Sequence, residues 1–334
     1  MILLLGCTSP SKRHAAAPKS TPTRVERGSA IAPKPLAIPE KPISPARLPK
    51  DDLDQALLIP PPPKLDEMTQ RASDIKEPDT GFALARNEEP IKKPSASADE
   101  SLDTIRGLHQ RATAAYALID SFEARLTRRE TINGKANPQE VIFFQFRKKP
   151  FSVHLKWLGT EGKGREVLYV QGQHNSKMHV KPSKEDAAPL PPIRMAFNPD
   201  DSMIRSKTRH DIREAGLGEA IRGLGNMLDM IARDPSQRSR LRYLGQVTRP
   251  ESVAKMDAIE ETIPPKVEPL LPQGGKRFCF FENSANSKGL GLPLLVITYD
   301  STNKEVEYYN FDNLMTDIKL SDADFDPDKV WSKR

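Results

Sequence analysis

Cysteine is almost absent from this chain of 334 residues: Cys7 and Cys279 are the only two, which excludes a disulfide scaffold. Long apolar runs are missing as well. No run of roughly 18 apolar residues occurs, and that excludes a polytopic helical membrane protein. Aromatic residues make up only 6% of the chain, and of the 20 only Phe82 falls within residues 1–100. The same hundred residues hold 16 of the 31 prolines. So little apolar surface does not offset about 1–2 kcal/mol of backbone entropy per ordered residue, so this part builds no core. A strong excess of one charge is lacking too. The chain has 51 basic and 45 acidic residues, a net +6, with no basic stripe of the kind nucleic-acid binders carry. The densest basic groups, Arg125, Arg128 and Arg129, then Arg147, Lys148 and Lys149, are expected to be solvated strand ends that protect sheet edges. No nucleic-acid partner is expected.

At the amino terminus, Met1 to Cys7 reads MILLLGC, and Leu4, Leu5, Gly6 and Cys7 resemble the lipobox that precedes acylation of a bacterial lipoprotein cysteine. A small residue lets the peptidase approach, and a thiol takes the diacylglycerol. No Lys or Arg precedes the apolar run, which is shorter than a full signal h-region, so residues 1–7 read as a truncated lipoprotein signal. The expected lipidation site is Cys7, and at least two acyl chains on it suffice for stable membrane anchoring. Thr8 and Ser9 follow, with no Asp behind the cysteine, so the sorting rule implies the outer membrane, facing the periplasm. Residues 8–96 then form a disordered, proline-rich tether with an r.m.s. span on the order of 50 Å. Within it, Leu53 to Ile59 is an incidental apolar patch. One folded domain is expected at 97–334.

That domain opens with a capping-box spacing, Ser97 and Glu100, followed by Leu102, Ile105, Leu108, Ala112, Tyr116 and Ile119 at helical intervals. The period then changes to two at Phe122, Ala124 and Leu126, the mark of a half-buried strand. Further strands are expected at 141–147, 151–158, 166–171, 177–181, 241–248, 256–263, 277–282, 294–299 and 305–311, joined by short polar loops that suit antiparallel meanders. So many strands curl into a half-barrel or a barrel. Between the two strand groups, Leu217, Ile221, Leu224, Leu228 and Ile231 mark a second helix, interrupted by Gly218, Gly223 and Gly225. Each glycine costs about 1 kcal/mol relative to alanine unless packing requires it. The helix reads as a cover brought close to the sheet by its glycines; a movable lid is the alternative.

No nucleophile, base and orienting group announce themselves, so no catalytic residue is expected and the protein is read as non-enzymatic. His154 shares its strand face with Ser152 and Lys156 and is expected to be exposed. His174 and His179 straddle a turn and approach each other, but without neighbouring cysteine or carboxylate they predict no metal, and no cofactor is expected. Asp322, Asp324, Asp326 and Asp328 alternate, yet Pro327 stands where a calcium loop needs glycine, so a solvated acidic turn is expected. Cys279 reads as a buried small hydrophobe.

Three blocks carry a resemblance: RKKPFSVHLKWLGTEGKGREVLY at Arg147 to Tyr169, SMIRSKTRHDIREAGLG at Ser202 to Gly218, and LSDADFDP at Leu320 to Pro327. Together, over residues 105–330, they resemble the bacterial envelope family known as domain of unknown function 1571. That family is similar in turn to the lipoprotein carrier and outer-membrane lipoprotein-sorting proteins. The resemblance implies an α+β fold, a curved antiparallel sheet forming an unclosed β-barrel, with the N-terminal helix and the Gly-rich helix packed on it. Near Phe278 to Pro293 the chain departs from the family pattern, which puts strand pairing there in question. The resemblance further implies a cell-envelope protein that binds or carries a lipid or a lipoprotein acyl chain, with Phe143, Val153, Leu155, Trp157, Leu224 and Leu228 as candidate lining. The other reading is a structural or sensory envelope module that binds a protein or cell-wall partner and carries no lipid.

Overall fold

A computed structural model of the protein describes residues 98–332. The expected lipobox with Cys7, the tether, and Ser97 of the capping box lie outside the described residues. In chain order, helix α1 (Ala98–Ala117) is followed by strands β1 (Ser121–Ile132), β2 (Lys135–Ala136), β3 (Glu140–Arg147), β4 (Ser152–Trp157), β5 (Glu166–Val170) and β6 (Met178–Lys181). The short helix α2 (Lys184–Ala187), β7 (Met195–Phe197), the short helix α3 (Ser202–Arg205) and the longer α4 (Leu217–Arg233) come next. Strands β8 (Leu241–Val247), β9 (Met256–Ile263), β10 (Gly275–Phe281), β11 (Pro293–Asp300) and β12 (Glu305–Met315) lead to the terminal α5 (Pro327–Ser332).

The strands form a single antiparallel sheet in the order β7-β6-β5-β4-β3-β1-β12-β11-β10-β9-β8, with β2 paired to β1. The end strands β7 and β8 do not pair with each other, so the sheet is not closed into a barrel. The expected strands are all present within a few residues. Two went unanticipated: β2, of two residues, and β7, which lies among Pro189, Pro191, Pro192 and Pro199 and is too short to show a period. Pairing is regular where doubt had been raised, with β10 and β11 in register from Gly275 to Phe280 and one bulge before Phe281.

Alternation along β1 to β4 creates two distinct faces. The inner face carries Phe122, Ala124, Leu126, Phe144, Phe146, Val153, Leu155 and Trp157, all within 2% of full burial. Helix α1 places Leu102, Ile105, Leu108 and Ala112 in the same core, as its spacing predicts, and α4 adds Leu217, Ile221, Met227 and Ile231. The glycines of α4 let it approach its neighbours closely. At Gly218 an added Cβ would stand 2.8 Å from the Tyr116 ring, and at Gly225 it would stand 2.8 Å from Nε2 of His109, both on α1. Gly216, just ahead of the helix, has φ +101° and abuts Phe146. Helix α1 also covers one sheet edge, where the Tyr243 N–H of β8 donates to Ser101 Oγ at 2.9 Å.

The outer face is covered as well, by the chain's last described residues. Phe325, at 1% exposure, packs with Leu168 and Val170 beside Leu320, Val330 and Trp331. The Trp331 indole donates to Glu166 at 3.0 Å, and Arg147 lies over the Phe325 ring at 4.9 Å. This strap overturns the expectation for His154. Its ring is buried beneath the covered face, with Nδ1 2.7 Å from Gln145 Oε1 and Nε2 3.1 Å from Glu166 Oε2. A polar strand face is exposed only if nothing covers it, and here the cover comes from more than 150 residues away in sequence.

The arginine clusters need the same correction. Strand β1 is central and guards no edge. Arg125 forms a bidentate pair with Asp312 at 2.6 and 2.9 Å, Arg129 pairs with Glu305 at 2.7 Å, and Arg128 is buried against Glu140. In the acidic run, Asp322 pairs with Arg147 at 2.8 Å, Asp324 caps Ser321, and Asp328 pairs with Arg194. Cys279 is half-buried rather than buried.

Candidate functional site

The inner face is built of cross-strand rows, and reading them in order shows what it offers. Row by row it changes from charged to apolar. The first row runs Arg277, Thr298, Glu307, Glu130 across β10, β11, β12 and β1. The second runs Cys279, Val296, Tyr309, Arg128, Glu140. The third is apolar, Phe311, Leu126, Ile142, Trp157. A further row, Ala124, Phe144, Leu155, Val167, Val180, Met195, crosses six strands from the centre of the sheet to its β7 edge.

The charged end is a dense network, with only Arg128 Nη1 and Thr298 Oγ1 among its named members buried without a hydrogen-bond partner. Arg209, from the loop before α4, donates to Glu307 at 2.8 Å and to the Thr131 carbonyl at 2.7 Å, while His210 Nε2 lies 2.7 Å from the same Glu307 carboxylate. Arg277 grips Glu268 with two bonds of 2.8 Å and reaches Glu261 at 3.2 Å. The Tyr309 hydroxyl donates to Glu130 at 2.7 Å, and the Trp157 indole donates to Glu140 at 2.8 Å, joining the network to the apolar rows. Burial pushes the Glu307 carboxyl up, but His210, Arg209 and Arg277 outweigh it and hold the group well below the usual carboxylate range. Burial also drives the Tyr309 hydroxyl well above its ordinary value, reinforced by Glu130 and Glu307. These charges answer one another, so the network anchors the loop of Arg209 and His210 to the sheet.

The apolar end holds five of the six candidate lining residues. Val153, Leu155 and Trp157 are buried at the centre of the face, and Leu224 and Leu228 of α4 close over the same core at 8% and 9% exposure. Phe143 is the exception. It pairs with Arg125 and Lys156, one residue out of phase with Phe144, and therefore stands on the outer face. Around this centre Phe122, Phe144, Phe146 and Phe311 pack with centroids 5.0–6.5 Å apart, and Phe151 and Tyr169 extend the cluster. Along the long row, exposure rises from 0% at Leu155 and 2% at Val167 to 42% at Met195. No strand among the described residues pairs with the far side of β7. The apolar face thus reaches solvent at an open edge, with Ile193 and Leu190 exposed just ahead of it.

No motif in the sequence marks the charged network, although one signal is present. Glu130 falls in phase with Phe122, Ala124 and Leu126, so a charged side chain was destined for the buried face, and Arg209 and His210 stand inside one of the three resembling blocks. Their partner Glu307 lies almost 100 residues further on, which no local pattern shows.

Fold and site together define an α+β domain in which helices cover an open antiparallel sheet whose apolar face runs to a free edge. Residues 119–254 match the family described as protein of unknown function, DUF1571. Two of the three resembling blocks lie within that match, and Leu320 to Pro327 lies outside it. Similar solved structures include a DUF1329 family protein from Desulfovibrio piger, at 12% identity and TM-score 0.34, covering 67% of this chain and 97% of that one. The Mycobacterium tuberculosis lipoprotein LppX is similar at 10% identity and TM-score 0.36, with 66% and 99% covered. A LolA superfamily protein from Nitrosomonas europaea is similar at 13% identity and TM-score 0.31, with 67% and 98% covered. No curated protein matches the chain.

Proposed function

We propose that this protein is a non-enzymatic cell-envelope lipoprotein that binds an acyl chain, of a lipid or of a lipoprotein, on the inner face of its sheet. The observation that carries the reading is the apolar row from Ala124 to Met195, buried at its centre and open at β7. A chain entering beside Met195 meets Val180 and Val167 and advances toward Leu155 and Trp157 as α4 gives way. Each methylene transferred from water contributes about 0.8 kcal/mol, so a chain of a dozen carbons supplies enough to displace side chains of α4. Acylation of Cys7, followed by the tether, holds the domain at the outer membrane facing the periplasm. The ion pairing of the buried charges with one another, which leaves the apolar rows as the unexplained part of the face, supports this reading without naming the ligand.

The test is extraction and mass spectrometry of lipid from the protein purified out of a bacterial envelope, together with uptake of a fluorescent fatty acid by the delipidated protein. Co-purifying acyl chains and saturable uptake are expected. A protein free of lipid that takes up no fatty acid would defeat the reading and leave the structural or sensory module in its place.

A further inference from the structure

His179 is the least explained polar residue of the outer face. It is 8% exposed, and neither ring nitrogen makes a hydrogen bond, although buried polar groups are paired as a rule. Its neighbour His174 is held beside it by an unusual turn, since His174, Asn175 and Ser176 all adopt left-handed backbone angles of φ 49°, 57° and 53°. The two rings stand with centroids 5.3 Å apart and planes at 76°. A zinc ion lies about 2.0–2.1 Å from an imidazole nitrogen, so two imidazoles at a tetrahedral angle have centroids roughly 5 Å apart. The observed edge-to-face separation leaves the two rings at a spacing that one ion can bridge. The carboxylate that the local sequence lacks arrives from the other end of the domain. Asp328 of α5 lies within electrostatic reach of both rings, and its side chain, 80% exposed on the surface, pairs with Arg194.

We propose that His174 and His179 form a clamp for a divalent transition metal of the zinc class, with Asp328 completing it by turning from Arg194 to the ion and water filling the remaining position. Among the described residues no three ligating side chains already stand in coordination reach, so binding includes that rotation. The ion joins the β5–β6 turn to α5 and so pins the terminal strap to the sheet.

The experiment uses the full, untagged chain and zinc chloride alone, with calorimetry for affinity and long-range proton–nitrogen NMR of the histidine rings. One ion per chain is expected, with the nitrogens of His174 and His179 shifting and those of His109, His154 and His210 unmoved. His174→Gln, at an exposed turn where folding is not at stake, should weaken binding at least tenfold, and Asp328→Asn by about threefold to tenfold. Zinc should also slow proteolysis of residues 320–332, an effect that Asp328→Asn removes. Absence of saturable binding overturns the proposal, as does binding that His174→Gln leaves intact or that shifts other histidines instead.

Discussion

Two buried glutamates show how placement decides what a carboxyl does. Glu307 is surrounded by His210, Arg209 and Arg277, and its depressed pKa contributes stability that is complete above the unfolded value near 4.5 and is lost as pH falls through the lower folded one. Glu307→Gln removes the charge but leaves its buried cations, and should cost about 3–5 kcal/mol by urea denaturation at pH 7, with less acid sensitivity remaining below the unfolded value. Glu219, in the first turn of α4, has the opposite sign. Burial raises it to about 7, Glu214 adds to the rise, and Arg222 opposes it. The folded protein therefore holds this proton after the unfolded chain has released it, and stability declines from about pH 4.5 to 7 and stays reduced above. Because the partner Arg222 is itself 58% exposed, screening limits the effect to about 1–2 kcal/mol. Glu219→Gln should abolish this slope, so its melting temperature should exceed that of the parent at pH 8 and match it at pH 4. Glu307's role was not legible in sequence, because neighbours across the sheet are set by register, whereas Glu219 has its partner Arg222 three residues on and only its burial depends on the packing of α4. Phe143 stands on the outer face because it is one residue out of phase with Phe144.

At the scale of elements, the sequence was most readable where one period ran uninterrupted. The α1 stripe, the α4 stripe and the long strands all follow from spacing. The cover over the outer face did not, because Phe325 and Trp331 belong to short segments without a period and gain meaning only from Leu168, Val170 and Glu166. The glycines separate local preference from packing. Gly107 lies in α1, and an added Cβ would meet Arg111 at an ordinary 3.7 Å, so Gly107→Ala should stabilise by up to about 1 kcal/mol through helix propensity alone. Gly218→Ala gains the same propensity but drives a methyl to 2.8 Å from the Tyr116 ring, which Lys148 caps at 4.2 Å. The overpacking should exceed the gain and leave a net loss of about 1–2 kcal/mol. Urea midpoints of the two variants, moving in opposite directions, would establish α4 as a cover that packing holds in place. A gain at both positions would mean that α4 rests loosely on α1.

For the whole molecule, the asymmetry between the two sheet edges carries the functional argument. The β8 edge is partly covered by α1, where the Tyr243 N–H donates to Ser101, whereas the β7 edge ends the inner row with a half-exposed methionine. Among the described residues no strand or helix covers the inner row at β7, and this is the feature on which the proposed acyl-chain entry rests. Met195 lets stability and uptake be tested apart. At 42% exposure it contributes little to the core, so Met195→Glu should change unfolding free energy by less than about 1 kcal/mol. Yet if acyl chains enter beside β7 as proposed, a carboxylate at that position must be desolvated as they pass, and fatty-acid affinity should fall at least tenfold. Leu155→Ala, at the buried end of the same row, should show the reverse balance, losing about 2–5 kcal/mol of stability while binding survives in the fraction that stays folded. If Met195→Glu takes up fatty acid as well as the parent does, the open edge is not the way into the core, and acyl chains would have to enter from the side closed by α4.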